Sequence, residues 1–251
     1  MFPILSIGPL AIQTPGLVLI IGVYISVLVV EKQSIRHGLK ASDGSNIIFI
    51  YLLSTILIGR LSYVFQFPSI FLENPLSLFS LSPSFFDFNS GLILSVLVVL
   101  AYIQKKRLSL LRVLDALTLP LLIFLIFLFF SLLASGDLYG KPSSLPWAIY
   151  LWGTTRHPLQ IYYIIALIPV IAINILYSRH ETRPGFLFFQ TGISLSILVI
   201  FLDYFNGNPN NMISKFNILQ SIAWISLIIL IFIKARMNNL YAKSLHTAPA
   251  D

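Results

Sequence analysis

The sequence predicts an all-α, polytopic membrane protein with about seven transmembrane helices. Two observations support this prediction: 57% of the 251 residues are hydrophobic and only 10% are charged, and the mean hydropathy is +0.89. Such a composition lies outside the range of water-soluble domains. Backbone groups cannot stay unpaired in lipid, and the apolar runs are too long and uniform for barrel strands. We therefore expect each run to be a helix of a single membrane domain.

Seven apolar runs are long enough to approach the thickness of a hydrocarbon core of about 30 Å. They lie near residues 16–30, 46–64, 91–103, 116–133, 159–177, 185–205 and 217–233, and residues 234–251 form a predicted cytoplasmic tail. The third run is short, and an extension back through Phe85 and Phe86 would lengthen it. Pro120 is expected within the first turns of the fourth run, where a proline costs a helix least.

The distribution of lysine and arginine between the runs predicts the orientation. Twelve lie in one alternate set of segments, namely 31–45, 104–112, 178–184 and the residues after Ile233. Only three lie in the other set, namely the residues before Gly16, 65–90, 136–158 and 206–216. Basic residues are retained on the cytoplasmic side. The sequence therefore predicts an N-terminus outside, a C-terminus inside, and two long loops, 65–90 and 136–158, on the outer side.

The chemistry open to the chain is limited by its composition. It contains no cysteine, which excludes disulfides, thiolate nucleophiles and sulfur-ligated metals. No metal and no cofactor are predicted. The net charge of +7 is explained by the topology-determining residues near an anionic leaflet, so a nucleic-acid partner is not predicted either.

Polar residues within or beside the runs need an explanation, because lipid makes them costly. Arg60 lies about one turn from the outer end of the second run, where it is expected to snorkel to the headgroups or to reach a phosphate. Asp115 and Asp203 are expected to cap helices or form local salt bridges. Interhelical hydrogen bonds are expected for Asn174, Gln190 and Thr191.

The start of the fifth run has the pattern of an anion site. Pro158 suits a first helical turn, and Arg156 and His157 immediately precede it. A helix N-terminus beside an arginine attracts anions. From these residues alone, a capped helix with an interfacial arginine is the simpler interpretation. The apolar loop 65–90 also has two equal interpretations, an arm in the membrane interface or a loop packed over helix ends.

Several segments in chain order resemble the prolipoprotein diacylglyceryl transferases. Residues 156–162 are similar to that family's Arg-His-Pro-x-Gln-Leu-Tyr motif, and 59–63 to its Gly-Arg-x-x-Tyr element. Further similar segments are 6–12 followed by Gly16, Ser135 to Pro142 with 145–147 (Leu-Pro-Trp), and the Arg-Pro-Gly of 183–185. The resemblance covers almost the whole chain and implies seven spans in the bacterial inner membrane. It also implies a cofactor-free transfer of diacylglyceryl from phosphatidylglycerol to a lipobox cysteine, which releases glycerol phosphate.

The chain departs from the family's pattern at five positions. Asn89 stands where the family has a histidine, and Phe129 and Leu195 stand where it has arginines. Leu132 replaces an asparagine, and Tyr163 replaces an acid. Since one transition-state cation or donor contributes a factor of about 100 to 1,000 in rate, the losses predict a catalytically degenerate relative.

Three function classes follow from this combination. The first is a lipid-binding or accessory subunit of a larger membrane complex, and the second is an active but divergent transferase. A small-solute transporter is the third, although the spans carry few charges and no pair of broken helices is evident. The candidate residues for binding a phosphatidylglycerol-like headgroup are Arg60, Asp137, Tyr139, Arg156, His157 and Gln160. Of these, Arg60, Asp137, Arg156 and His157 are predicted to converge within one outer-leaflet cavity.

Overall fold

Eight helices and three short antiparallel strand pairs make up the computed structural model, which describes residues 4–7, 10–80, 82–207, 212–213 and 216–246. The helices are α1 (Thr14–Arg36), α2 (Ala41–Gln66), α3 (Pro68–Glu73), α4 (Phe88–Lys105), α5 (Leu110–Ser135), α6 (Leu159–His180), α7 (Phe186–Leu202) and α8 (Ile218–His246). The strands are β1 (Ile4–Ile7), β2 (Leu10–Gln13), β3 (Ile149–Leu151), β4 (Thr154–Arg156), β5 (Met212–Ile213) and β6 (Phe216–Asn217). Within the described residues, seven helices are long and apolar enough to cross a membrane. The predicted all-α membrane fold is confirmed, while the orientation of the termini stays a prediction.

Several predicted helix ends were wrong. The third span begins at Phe88 after an Asp87 cap, so Phe85 and Phe86 lie outside it. The fourth begins at Leu110, which places Pro120 in the helix interior rather than in its first turns. The last helix continues to His246, so much of the predicted tail 234–251 is helical, and residues 247–251 lie outside the described part. The polar residues at these helix ends lower local hydropathy without ending the helix.

The chain divides into two compact units, and the first comprises residues 1–29 with 114–251. Its core consists of Leu122, Leu159, Tyr163, Leu167 and Leu198. Polar side chains link its helices, as predicted: Asn174 donates to the hydroxyls of Thr118 and Thr191 at 3.1 and 3.0 Å, and Lys234 donates to Gln190.

Asp115 caps a helix, as predicted, although the helix is not its own. Its carboxylate accepts the backbone N–H groups of Gly185 and Phe188 at 2.5 and 2.9 Å, so it satisfies donors at the start of α7. Gly185 adopts a left-handed conformation with φ of 88° at this junction, which favours glycine.

The second unit comprises residues 30–113 and is built on the close packing of α2 with α4. Small residues line that contact: Thr55 donates to Ser95 at 3.0 Å, and a Cβ on Gly91 would lie 2.5 Å from the Thr55 carbonyl oxygen. Small side chains let transmembrane helices approach in this way. Residues 67–87, which we call the arm, join the two helices through α3 and two short 3₁₀ turns.

The arm combines one buried aromatic with exposed apolar side chains. Phe71 is 5% exposed, whereas Leu72 and Leu76 are 81% and 79% exposed. The arm therefore packs part of its apolar surface and leaves the rest open, and its position relative to a membrane stays a prediction.

Candidate functional site

The entrance to α6 is shaped by the hairpin of β3 and β4. Its turn residues Trp152 and Gly153 both have positive φ, 52° and 80°, as expected of a tight two-residue turn. The Trp152 indole donates to the Gly136 carbonyl at 3.0 Å. The hairpin is thereby tied to the end of α5 and delivers Arg156 and His157 directly before Pro158, which caps α6.

The segment 139–142 runs alongside the α6 entrance and pairs with it through backbone. Gly140 donates to the His157 carbonyl at 3.2 Å, and His157 donates to the Lys141 carbonyl at 3.0 Å. A Cβ on Gly140 would collide with the His157 backbone, so only glycine permits this approach. The pairing brings Asp137, Tyr139, Arg156, His157 and Gln160 into one cluster, which we call the rim.

Arg156 uses only part of its donor capacity within the rim. Its Nε donates to the Leu151 carbonyl at 3.2 Å and one terminal nitrogen to the Gly140 carbonyl at 3.4 Å. The guanidinium lies 4.7 Å from the centre of the Tyr139 ring, a cation–π contact. Because a guanidinium has five N–H donors, three have no protein partner among the residues that the structure describes.

His157 lies at one end of a short chain of hydrogen bonds between aromatic side chains. The Tyr162 hydroxyl lies 3.1 Å from His157 Nδ1 and accepts the Trp147 indole N–H at 2.8 Å. When the Tyr162 hydroxyl donates to Nδ1, the neutral imidazole carries its proton on Nε2. His157 then presents an N–H donor beside Arg156.

Gln160 and Asp137 meet through the loop backbone. The Gln160 amide is fully buried and donates to the Asp137 carbonyl at 2.5 Å, while its own oxygen has no partner among the described residues. The Asp137 side chain is exposed. The geometry gives Gln160 a role in holding the loop, and its predicted role in binding a headgroup stays untested.

Arg60 lies in the second unit, and its guanidinium points into the arm. It donates to the carbonyls of Leu78 at 3.0 and 3.2 Å, of Phe85 at 3.1 Å, and of Ser77. Its guanidinium also lies 5.1 to 5.8 Å from the centres of three rings, those of Phe71, Phe85 and Phe86. Backbone carbonyls of the arm thus accept from the Arg60 guanidinium, and the expectation that it snorkels to the headgroups or reaches a phosphate stays a prediction. Its convergence with Arg156 stays a prediction.

Two of the positions where the chain departs from the family's pattern touch each other. The rings of Phe129 and Tyr163 stack with centres 4.4 Å apart and planes 4° apart. Leu195 packs against the same buried cluster. Where the resemblance implies an arginine near an acid, this chain has two stacked aromatic rings among leucines.

Sequence reasoning missed a pair of buried polar groups behind the rim. Asp203 and Tyr163 are 2% and 4% exposed, and Asp203 Oδ2 and the Tyr163 hydroxyl have no partner among the described residues. The other carboxylate oxygen accepts the Asn206 amide at 2.9 Å. Asp203 was expected to cap a helix or to form a local salt bridge, whereas its carboxylate accepts from the Asn206 amide.

The seven spans found in the described residues, with an Arg-His-Pro segment at the start of α6, define a polytopic membrane protein. A family model described as prolipoprotein diacylglyceryl transferase matches residues 3–236, and the chain belongs to that family. The predicted resemblance is thereby confirmed, and with it the location in the bacterial cytoplasmic membrane.

Relatives carry the name phosphatidylglycerol–prolipoprotein diacylglyceryl transferase. The protein of Bordetella parapertussis is 35% identical over 167 residues, which are 63% of this chain and 63% of that protein. The one from Polynucleobacter necessarius is 30% identical over 190 residues, 71% and 72% of the two chains. The Geobacter sulfurreducens protein is 28% identical over 210 residues, 81% of each. The match thus spans less than two thirds of the first of these relatives.

Proposed function

We propose that the rim binds the phosphoglycerol headgroup of an anionic phospholipid, and that the chain does not transfer the diacylglyceryl group. The stack of Phe129 on Tyr163 is the single observation that carries the second half of this proposal. Two aromatic rings occupy the place where the resemblance implies charged side chains. The proposal is therefore a lipid-binding protein on a transferase scaffold.

Headgroup binding rests on the donors that the rim leaves available. Arg156 has three N–H groups without a partner in the described part of the chain, and His157 supplies one more when Tyr162 donates to its Nδ1. Both stand at the N-terminus of a 22-residue helix, where the helix dipole favours an anion. A phosphodiester carries one negative charge and several acceptor oxygens, which suits this donor set.

The chemical step that the resemblance implies has a different requirement. A cysteine thiol would attack the glyceryl carbon, a carbon–sulfur bond would form as the carbon–oxygen bond breaks, and glycerol phosphate would leave with the electron pair. The added charge on the leaving phosphate must be stabilised at the moment of reaction. Phe129 and Leu195 supply no cation for it. Arg156 can hold the headgroup in the ground state, but equal binding of substrate and transition state does not accelerate chemistry.

An active transferase is the second candidate, and the names of the relatives favour it. The rim offers it a base, since His157 is linked to Tyr162 and Trp147. The buried carboxylate of Asp203, held by Asn206, offers a second one. In this alternative Arg156 is the cation that stabilises the departing phosphate.

Association with other membrane subunits is a separate part of the proposal. The span of α8 is the least buried of the seven found in the described residues, and its exposed side chains include Ile228 and Phe232, at 66% and 67%. Lipid or another protein can cover such a surface. Purification from native membranes in mild detergent, followed by identification of co-eluting chains, tests this part.

One experiment separates the two candidates. The purified protein is given phosphatidylglycerol and a lipobox peptide, and both lipid binding and thioether product are measured. We expect binding without product, and we expect Arg156→Gln to weaken binding about tenfold, the loss of one charge-assisted contact worth about 1.4 kcal/mol. Lys106→Gln, which removes an exposed lysine elsewhere, is the matched control and should bind normally.

Product that disappears in Arg156→Gln but persists in Lys106→Gln would establish the active transferase and overturn the proposal of a non-catalytic protein. Equal lipid binding by Arg156→Gln and the parent protein would remove the rim as the binding site. Product unaffected by either variant would indicate a contaminating enzyme.

A further inference from the structure

A second cationic pocket lies in the first unit, between the start of α7 and the C-terminal half of α8. Its lining includes Arg183, Phe186, Phe189, Lys234, Asn238 and Tyr241. The charge pattern predicts that the loop 178–184 and the end of α8 are cytoplasmic, whereas the rim is predicted to lie outside. The pocket therefore belongs to neither the rim nor its proposed function.

One of the two cations in this pocket is already neutralised. Arg183 donates to both carboxylate oxygens of Glu181, at 2.7 and 2.6 Å, and to the Asn238 side chain at 3.4 Å. The hydrogen bond from Arg183 holds the pKa of Glu181 below its ordinary value, and the pKa of Arg183 is raised in turn. Arg183 still has two N–H groups without a protein partner in the described part of the chain.

The second cation has no such partner. Lys234 donates to the Gln190 amide oxygen, and the single salt bridge among the described residues is the one between Glu181 and Arg183. The Lys234 ammonium lies 4.7 Å from the centre of the Phe186 ring, and the Arg183 guanidinium lies 4.8 Å from the same centre. Two cations thus lie against one ring, and one carboxylate, that of Glu181, is paired with Arg183. The group carries one uncompensated positive charge within a membrane-spanning helix, which is costly without an anion.

We propose that this pocket binds the phosphodiester of an anionic phospholipid from the cytoplasmic leaflet. One phosphodiester carries the single negative charge that the group lacks. Its oxygens accept from the two unused donors of Lys234 and from Arg183. Basic pockets between transmembrane helices on the cytoplasmic side suit anionic headgroups.

A lipid fits this pocket better than a soluble phosphate because of the surface beside it. Phe232 and Ile233, next to Lys234 on α8, are 67% and 37% exposed, and side chains of this kind contact acyl chains in a bilayer. Tyr241, one turn beyond Met237, is 45% exposed and supplies an amphipathic ring at the pocket's edge. The headgroup and the acyl chains of one lipid can therefore be held side by side.

The test measures lipid binding by the purified full chain in vesicles of phosphatidylcholine with increasing phosphatidylglycerol. We expect Lys234→Gln to lower the preference for phosphatidylglycerol about fivefold, because that is the contribution of one basic residue to binding at an anionic surface. Lys234→Arg, which keeps the charge, should retain the preference. Lys106→Gln, which removes an exposed lysine from another segment of the same predicted side, should also retain it.

Equal losses in Lys234→Gln and Lys106→Gln would overturn the proposal, since they would show diffuse attraction rather than a site. If soluble glycerol phosphate displaces the lipid when both are present at the same molar concentration, the assignment to a lipid is overturned. Arg156→Gln separates this pocket from the rim: if the two sites are distinct and independent, the bound phosphatidylglycerol lost in the double variant equals the sum of the losses in Arg156→Gln and Lys234→Gln. A loss in only one of the two single variants eliminates the other site alone.

Discussion

The arm is held by one arginine that follows the family's pattern, Arg60 of α2, and the rim contains another, Arg156, and the two are used differently. Arg60 makes four hydrogen bonds to carbonyls of the arm and faces three aromatic rings. Arg156 makes two hydrogen bonds and faces one ring. The first guanidinium therefore holds a loop together, and the second keeps donors for a ligand. A match to a family motif identifies the residue but not how its donors are used.

The largest expected effect tests the structural half of this comparison. We expect Arg60→Met to lower the free energy of unfolding by about 4 kcal/mol, because the carbonyls of three arm residues lose a charged donor worth about 1 kcal/mol or more per bond. Arg156→Met should cost about 1 kcal/mol, for its two long bonds. Reversible unfolding in detergent measures both, and protease cleavage within the arm reports its release. Equal losses would contradict the comparison.

The helix pair that carries the arm gives the next effect. Gly91→Ala is expected to cost about 2 kcal/mol, since the new Cβ would meet the Thr55 carbonyl oxygen at 2.5 Å and the neighbour is backbone, which cannot move aside cheaply. Gly16→Ala is the matched control, because no heavy atom lies within 4 Å of its added Cβ. Its effect should stay within about 0.5 kcal/mol. Thermal unfolding of the two variants measures the difference.

The smallest effect concerns the residue that ends the arm. Hydrogen bonds, first from the Ser90 hydroxyl and then from the Gln66 amide, hold the pKa of Asp87 below its ordinary value. The folded protein therefore prefers the ionised carboxylate, and the resulting stability is present above the unfolded value of about 3.9. It is lost as the pH falls through the lower folded pKa.

Unfolding measured across acid pH checks this sign. Asp87→Asn should flatten the acid limb of the stability curve slightly relative to the parent protein. An identical acid limb in both proteins would show that Asp87 does not contribute to it.

Hydropathy was sufficient to predict the spans because a segment that crosses the hydrocarbon core must be predominantly apolar along its length. The number and order of the seven spans follow from it, and so does the start of the fifth span, α6, at Leu159. Helix ends were less predictable, since α5 gains six residues before Ala116 where charged side chains lower the hydropathy. Polar residues do not stop a helix that is held by tertiary contacts, such as the capping of α7 by Asp115.

The site was predictable only as far as neighbouring residues determine it. The rim residues 156–160 are close in sequence, and their pairing with 137–142 joins two segments that are separated by a short stretch of chain. The partners of Arg60 lie 17 to 25 residues away, and the contact of Phe129 with Tyr163 joins two helices. Such contacts depend on how helices are rotated, which hydropathy does not determine.

The stack of Phe129 on Tyr163 has an evolutionary consequence. An arginine at 129 alone would bury a cation among leucines, and a glutamate at 163 alone would bury an anion there. Each single change leaves a charge that costs several kcal/mol in such surroundings. A lineage with this stack can regain a charged pair only through a less stable intermediate or through two simultaneous substitutions. The aromatic pair is therefore easier to keep than to reverse.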